Sequence, residues 1–172
     1  MVVLGSGGHT TEMLKLLQGA PTDVYAPLHY VIAATDHTSA DRIPHADAAP
    51  GSAATVVHTV PRSREVGQGW ASTCATTAVA MLRCAWLVAC VRPDVLIVNG
   101  PGTCVPICAC VFALKVVAIR PRAKLVFVES FCRVETLSLT GWLLYPLADR
   151  FLVHWPELAA KYPRAEYVGR FF

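Results

Sequence analysis

Charge is scarce in this chain. Asp, Glu, Lys and Arg make up only 16% of its 172 residues, against 54% hydrophobic, where soluble domains carry about 25% charged residues. Disorder requires the opposite balance and is excluded. The formal net charge of +3 is too weak to argue for nucleic acid, which needs a concentrated basic face. It suits an anionic lipid surface or a phosphate ligand. The apolar excess exceeds what one isolated domain of this length hides, so a partner subunit or a membrane surface is expected to cover part of it.

Long unbroken hydrophobic runs are also missing. Ala75–Val91 carries Arg83 at its middle, and Cys104–Ile119 is interrupted by Pro106 and Lys115. A central arginine costs about 2.5–3.5 kcal/mol on insertion scales, and both stretches fall short of the roughly 20 apolar residues of a spanning helix. They read as buried or interfacial helices. No secretory leader is seen, since Met1-Val2-Val3-Leu4 runs straight into a glycine turn. The odd set of seven cysteines (Cys74, Cys84, Cys90, Cys104, Cys108, Cys110 and Cys132) therefore reads as reduced thiols of a cytosol-facing protein, acting as small core residues. No Cys or His spacing matches a zinc site and no acidic cluster stands out, so neither a metal nor a cofactor is expected. A Gly-Lys-Ser/Thr step is lacking, which excludes a P-loop.

What is present is alternation. Apolar runs at Met1–Leu4, Tyr30–Ala34, Ala54–Val60, Asp94–Val98, Lys124–Val128, Arg150–Val153 and Tyr167-Val168 read as strands. Helical patterns follow at 10–17, 70–91, 105–114, 137–147 and 157–161, while 36–53 reads as the most loop-like part. Central strands apolar on both faces and separated by helices define one α/β domain over 1–172, a Rossmann-like parallel sheet with helices on both faces. Ligands of such sheets bind at the carboxyl ends of the strands.

Three features fall at those ends. Gly5-Ser6-Gly7-Gly8-His9-Thr10 joins the first strand to the first helix. Its glycines allow close backbone approach, and the helix N-terminus favours a phosphate. As a dinucleotide fingerprint it is imperfect, because Thr10 replaces the third glycine. Asp36 beyond strand 2 keeps a stand-alone dinucleotide oxidoreductase open as an alternative. Asn99-Gly100-Pro101-Gly102-Thr103 repeats the strand–glycine–helix pattern. Glu129-Ser130 follows strand 5, with Arg133 and Glu135 close behind. His9 is a candidate base or phosphate donor. Pro61-Arg62-Ser63-Arg64-Glu65 is a basic loop that suits a diphosphate or lipid headgroups. Each feature has a structural counterpart: a tight turn, an exposed loop histidine, a loop salt bridge, a solvated basic loop.

Taken in order, Gly5–Thr10, Pro61–Val66, Asn99–Pro106, Glu129-Ser130, Arg133–Ser138, Trp155-Pro156, Lys161–Pro163 and Gly169-Arg170 resemble the acceptor-side, membrane-anchoring subunits of the eukaryotic two-chain UDP-N-acetylglucosamine transferases. The resemblance runs from Val3 to Arg170. It implies the amino-terminal half of a GT-B glycosyltransferase, similar to that half of the bacterial lipid-precursor GlcNAc transferase. It further implies a lipid acceptor, dolichyl-diphosphate-GlcNAc, and a separate catalytic chain that holds UDP-GlcNAc. That chain would be recruited to the cytosolic face of the endoplasmic reticulum membrane for the second step of N-glycan precursor assembly. The enzyme forms a β1,4 link, and a subunit of this kind is expected to be inactive alone.

On that footing His9, then Glu129, are the candidate catalytic bases. Gly5, Ser6, Gly7, Gly8, Thr10, Arg62, Arg64, Asn99, Gly100, Gly102, Thr103, Ser130 and Arg133 are candidate ligands of the acceptor diphosphate. Gly169, Arg170, Phe171 and Phe172 are the candidate partner contact. Family members commonly carry a hydrophobic anchor before the first strand. Here Met1 already lies in that strand, which leaves a truncated chain, a misassigned start or peripheral binding, with helix 70–91 bearing Trp70 and Trp86 against the headgroups. A purely non-catalytic membrane scaffold is the alternative of a different class.

Overall fold

The computed structural model describes residues 1–18, 20–21, 24–43, 55–61, 70–100 and 102–169, with backbone alone for 70–75. Seven strands form one sheet: β1 (Val2–Val3), β2 (Leu28–Ala33), β3 (Thr55–Val60), β4 (Val95–Asn99), β5 (Lys124–Val128), β6 (Arg150–Val153) and β7 (Ala165–Tyr167). Their order is β3-β2-β1-β4-β5-β6-β7 and every pair is parallel. The helices are α1 (Gly8–Leu17), α2 (His37–Ala40), α3 (Trp70–Val91), α4 (Cys104–Val116), α5 (Leu139–Leu144) and α6 (Pro156–Lys161).

Side chains of a strand alternate between faces, and here both faces of the central strands are packed. Val3, Val31, Val98, Leu125, Phe127 and Phe151 pack in one core with Leu87 and Val88 of α3, Ile107 and Val111 of α4, Leu144 of α5 and Leu158 of α6. Val2, Leu4, Tyr30 and Ile32 pack in the other core with Met13 and Leu17 of α1. Phe127 and Phe151 stack at 4.8 Å between ring centroids, and Tyr145 meets Phe151 edge-on. Helix α4 lies between α3 and α5, which explains why it is apolar nearly all round. The Rossmann-like sheet expected from the sequence is the one observed.

The differences are local. Residues 36–43, expected as loop, contain the short helix α2, capped by Asp36, whose carboxylate accepts the Ser39 N–H at 3.1 Å. Asp36 is thus a buried cap, and its place beyond β2 gives the oxidoreductase alternative no support. The last strand pairs through Ala165–Tyr167 rather than Tyr167-Val168. Of the thiols, Cys84, Cys104, Cys108 and Cys110 are buried, and burial pushes the Cys84 thiol up to about 12. These four are core residues, as read from the sequence, but Cys90 and Cys132 are exposed and do not fit that reading, and the Cys74 side chain lies outside the described residues. Among the described residues no helix is long and apolar enough to cross a membrane.

Asp149 joins two layers. It accepts the Leu125 N–H of β5 at 2.9 Å and an ion pair from Lys115 of α4. Partial burial pushes its carboxyl up, but the Lys115 hydrogen bond and the Leu125 amide outweigh that and hold it below the usual carboxylate range. A depressed folded-state pKa gives stability that is present above about pH 4 and lost as the pH falls through the folded value. Asp149→Asn is therefore expected to cost about 1–3 kcal/mol at neutral pH, with the deficit shrinking on acidification, as read by urea unfolding at several pH values.

Candidate functional site

The direction of the crossovers places the site. α1 follows β1 on one face of the sheet and α4 follows β4 on the other, while β1 and β4 are neighbours. The carboxyl ends of this pair form a topological switch point, where a crevice opens. The glycine turn leaves β1 there and the Asn99 turn leaves β4 there.

Gly7 adopts φ 65°, a left-handed conformation that favours glycine, and it is the N-cap of α1. No described side chain caps this helix. Its first-turn N–H groups therefore lie at the crevice with the positive end of the helix dipole. Beneath the turn, the Thr10 hydroxyl donates to the Gly5 carbonyl, and the Ser39 hydroxyl donates to Asp36 at 2.6 Å. Both hydroxyls are buried, so Thr10 supports the turn from below and its side chain does not face a ligand. Arg42 reaches over the same turn, donating to the Gly7 carbonyl at 3.3 Å and the Thr11 hydroxyl at 2.7 Å. That places a cation beside a helix N-terminus, the end of a helix that favours anions.

His9 is fixed from three sides. Asn99 Nδ2 donates to the His9 carbonyl at 2.7 Å. The imidazole lies against Gly100, where a Cβ would stand 2.5 Å from Cε1. Glu12 Oε2 lies 3.3 Å from Nδ1. Glu12 also accepts the Ser130 hydroxyl at 3.1 Å and the Phe131 N–H. Asn99 Oδ1 is buried and finds no partner among the described residues.

Glu129, the second candidate base, is fully buried. One oxygen accepts the Ser130 N–H at 3.0 Å, and the other accepts the Ser138 N–H at 2.9 Å and the Ser138 hydroxyl at 3.2 Å. Ser138 in turn caps α5 through the Gly141 N–H. The carboxylate is the anchor of loop 130–138 and has no oxygen free for a substrate. A second tie is the Trp155 indole, which donates to the Phe131 carbonyl at 2.7 Å.

The sheet thus brings Gly5, Ser6, Gly7, Gly8, His9, Asn99, Gly100, Gly102, Thr103 and Ser130 to one edge. Ser130 spends its hydroxyl on Glu12. Arg133 is exposed on the loop surface. Gly169 lies at the same edge, where its carbonyl meets His154 Nδ1 at 3.1 Å. Arg62, Arg64, Pro101, Arg170, Phe171 and Phe172 lie outside the described residues. Sequence reading missed Glu12 and Arg42. Glu12 was findable, since a residue three places beyond His9 on a helix shares its face. Arg42 comes from a distant turn and carries no such signal. A cavity of about 720 Å³, lined by Leu16, Tyr25, Pro27, His29 and Pro93 among others, lies at the opposite, amino-terminal end of the strands. Among the described residues no group of three or more His, Cys, Asp or Glu is placed to hold a metal ion.

A Rossmann-like α/β domain, with a helix at its switch point that no described side chain caps, is the class this geometry defines. A crystal structure of MurG from Acinetobacter baumannii matches it with a TM-score of 0.63, covering 89% of this chain and 40% of that one at 11% identity. That similarity concerns the fold. The family model described as oligosaccharide biosynthesis protein Alg14 like matches residues 1–171, and the chain belongs to the Alg14 family. A Homo sapiens relative named UDP-N-acetylglucosamine transferase subunit ALG14 is 49% identical over 99% of this chain and 81% of its own length. One of the same name from Yarrowia lipolytica is 42% identical over 98% of this chain and 79% of its own length.

The role of Glu129 is checked by stability. Glu129→Ala orphans two backbone N–H groups and is expected to cost about 2–4 kcal/mol in urea unfolding. A residue needed only for chemistry would leave the unfolding midpoint in place.

Proposed function

We propose that this chain is the lipid-acceptor half of a two-chain UDP-GlcNAc transferase. The carrying observation is the join of an α1 N-terminus that no described side chain caps, the Arg42 guanidinium and a constrained imidazole at one switch point. It occurs in a family whose curated members are named as subunits of that transferase. The acceptor is a polyisoprenyl diphosphate carrying GlcNAc. Its diphosphate rests on the first-turn N–H groups of α1 and the Gly5–Gly8 turn, with Arg42 adding charge. The resemblance adds Arg62, Arg64 and Arg133 to that charge.

The acceptor 4-hydroxyl attacks the anomeric carbon of UDP-GlcNAc. As the new C–O bond forms, the bond to UDP breaks, and its electron pair leaves with the diphosphate. Attack from the face opposite UDP inverts the centre and gives a β1,4 link. His9 Nε2 takes the hydroxyl proton. The second chain holds UDP-GlcNAc, docks beside the carboxyl-terminal residues Gly169–Phe172 and is brought by this chain to the cytosolic face of the endoplasmic reticulum membrane.

Bilayer contact is supported by the outer surface of the α3–α5 layer. Leu82 and Trp86 of α3 and Leu139 and Trp142 of α5 are all exposed. α3, α4 and α5 contain no acidic residue. Exposed Trp and Leu without acid fit an anionic lipid surface.

The test is transfer from UDP-GlcNAc to a short polyisoprenyl-diphosphate-GlcNAc by this chain, by its UDP-GlcNAc-binding partner, and by both. Activity is expected only in the mixture. His9→Ala is expected to lower it roughly 100- to 10,000-fold while the two chains still co-purify. Unchanged transfer by His9→Ala would contradict the catalytic role and leave the scaffold reading.

A further inference from the structure

We propose that Glu12 is a positioning residue that holds the His9 imidazole in the tautomer a general base requires. The inference rests on the reading of His9 as the base and deepens it. Nδ1 of His9 faces Glu12 Oε2 at 3.3 Å, across one turn of α1. A carboxylate has only lone pairs to offer, so the ring nitrogen facing it carries the proton. With the proton on Nδ1, Nε2 keeps its lone pair and is the atom able to accept the acceptor's hydroxyl proton.

Glu12 is itself held in place. Its other oxygen accepts the Ser130 hydroxyl at 3.1 Å, from a loop whose first amide is fastened by the buried Glu129 carboxylate. Partial burial pushes the Glu12 carboxyl up, but its hydrogen bond to His9, the charge of that ring when protonated, the Ser130 hydroxyl and the Phe131 N–H together bring it below the usual range. Glu12 is therefore ionised at neutral pH. The ring has little freedom to leave this partner, because Gly100 closes one side and Asn99 ties the backbone. When the proton arrives on Nε2, the imidazolium lies beside an anion, which stabilises the charge formed in the transfer step.

The arrangement also accounts for residues that a bare base would leave unexplained. Ser130, expected to touch the diphosphate, is used to aim the carboxylate. Glu129, expected as a second base, fixes the loop that presents Ser130. A chain of three side chains, joined through one loop, thus ends on one ring nitrogen.

Two measurements test the assignment, one of them independent of transfer. ¹⁵N shifts of the His9 ring in the full chain report its tautomer directly. The native protein is expected to show protonated Nδ1. Glu12→Gln, whose amide both donates and accepts, is expected to lose that preference, and Glu12→Asp to recover it in part. In the two-chain assay Glu12→Gln is expected to lower kcat by at least about tenfold with KM within about twofold, since a wrong tautomer removes the base and leaves binding intact. A Nδ1-protonated ring that persists in Glu12→Gln would overturn the proposal, as would an unchanged kcat in a Glu12→Gln protein while His9→Ala abolishes transfer. Failure of the base reading is recognised separately: His9→Ala then transfers normally, and the tautomer measurement still judges Glu12.

Discussion

The structure depends on one constraint, the position of β1. This strand has only two paired residues, Val2 and Val3, yet it is hydrogen-bonded on both sides, to β2 and to β4. The chain leaves it toward α1 on one face of the sheet. The strand beside it sends its own helix to the other face. The α1 N-terminus and the Asn99 turn therefore border the gap between the two departing turns. Everything with chemical character at the carboxyl edge is arranged around that gap: His9 across it from Gly100, Asn99 reaching back to the His9 carbonyl, and the Glu129 loop bringing Ser130 to Glu12.

Burial divides these groups by role. Glu129 and Asp36 are nearly solvent-free and have their oxygens committed to backbone amides and hydroxyls. They set loop geometry. His9 and Arg42 keep contact with solvent, and their partners hold them without covering them. Glu12 lies between the two classes, mostly covered, with one oxygen on the loop and the other on the imidazole. In a chain with few charges, this concentration of ionisable groups at one end of the sheet sets that end apart from the apolar α3–α5 surface.

Most of the sheet was legible in the sequence because its strands are buried on both faces, so continuous runs such as Val-Leu-Ile-Val at 95–98 stand out against the helical patterns. The glycine turns were legible for the same reason that they matter, since Gly7 and Gly100 both adopt positive φ. The role of Glu129 was not. A carboxylate after a strand end looks alike whether it faces a ligand or a backbone amide, and only the path of the next nine residues turns it inward to Ser138. Arg42 was hidden because its contact with Thr11 spans 31 residues and depends on α2, a helix of one turn in a stretch that reads as loop. Asp36 suggested a ribose contact by position alone, and its capping of that short helix became visible only with the backbone in place.

The proposed function requires that the acceptor diphosphate sit at the switch point. The most direct measurement is a residue-resolved amide NMR titration of the full chain with a short-chain polyisoprenyl diphosphate carrying GlcNAc. The largest saturable shifts are expected at Gly7, Gly8, His9 and Thr10 and at the Arg42 side chain, with little change at the far end of the sheet. Saturable shifts centred instead on Leu16, Tyr25 and His29, around the cavity at the amino-terminal ends of the strands, would contradict it.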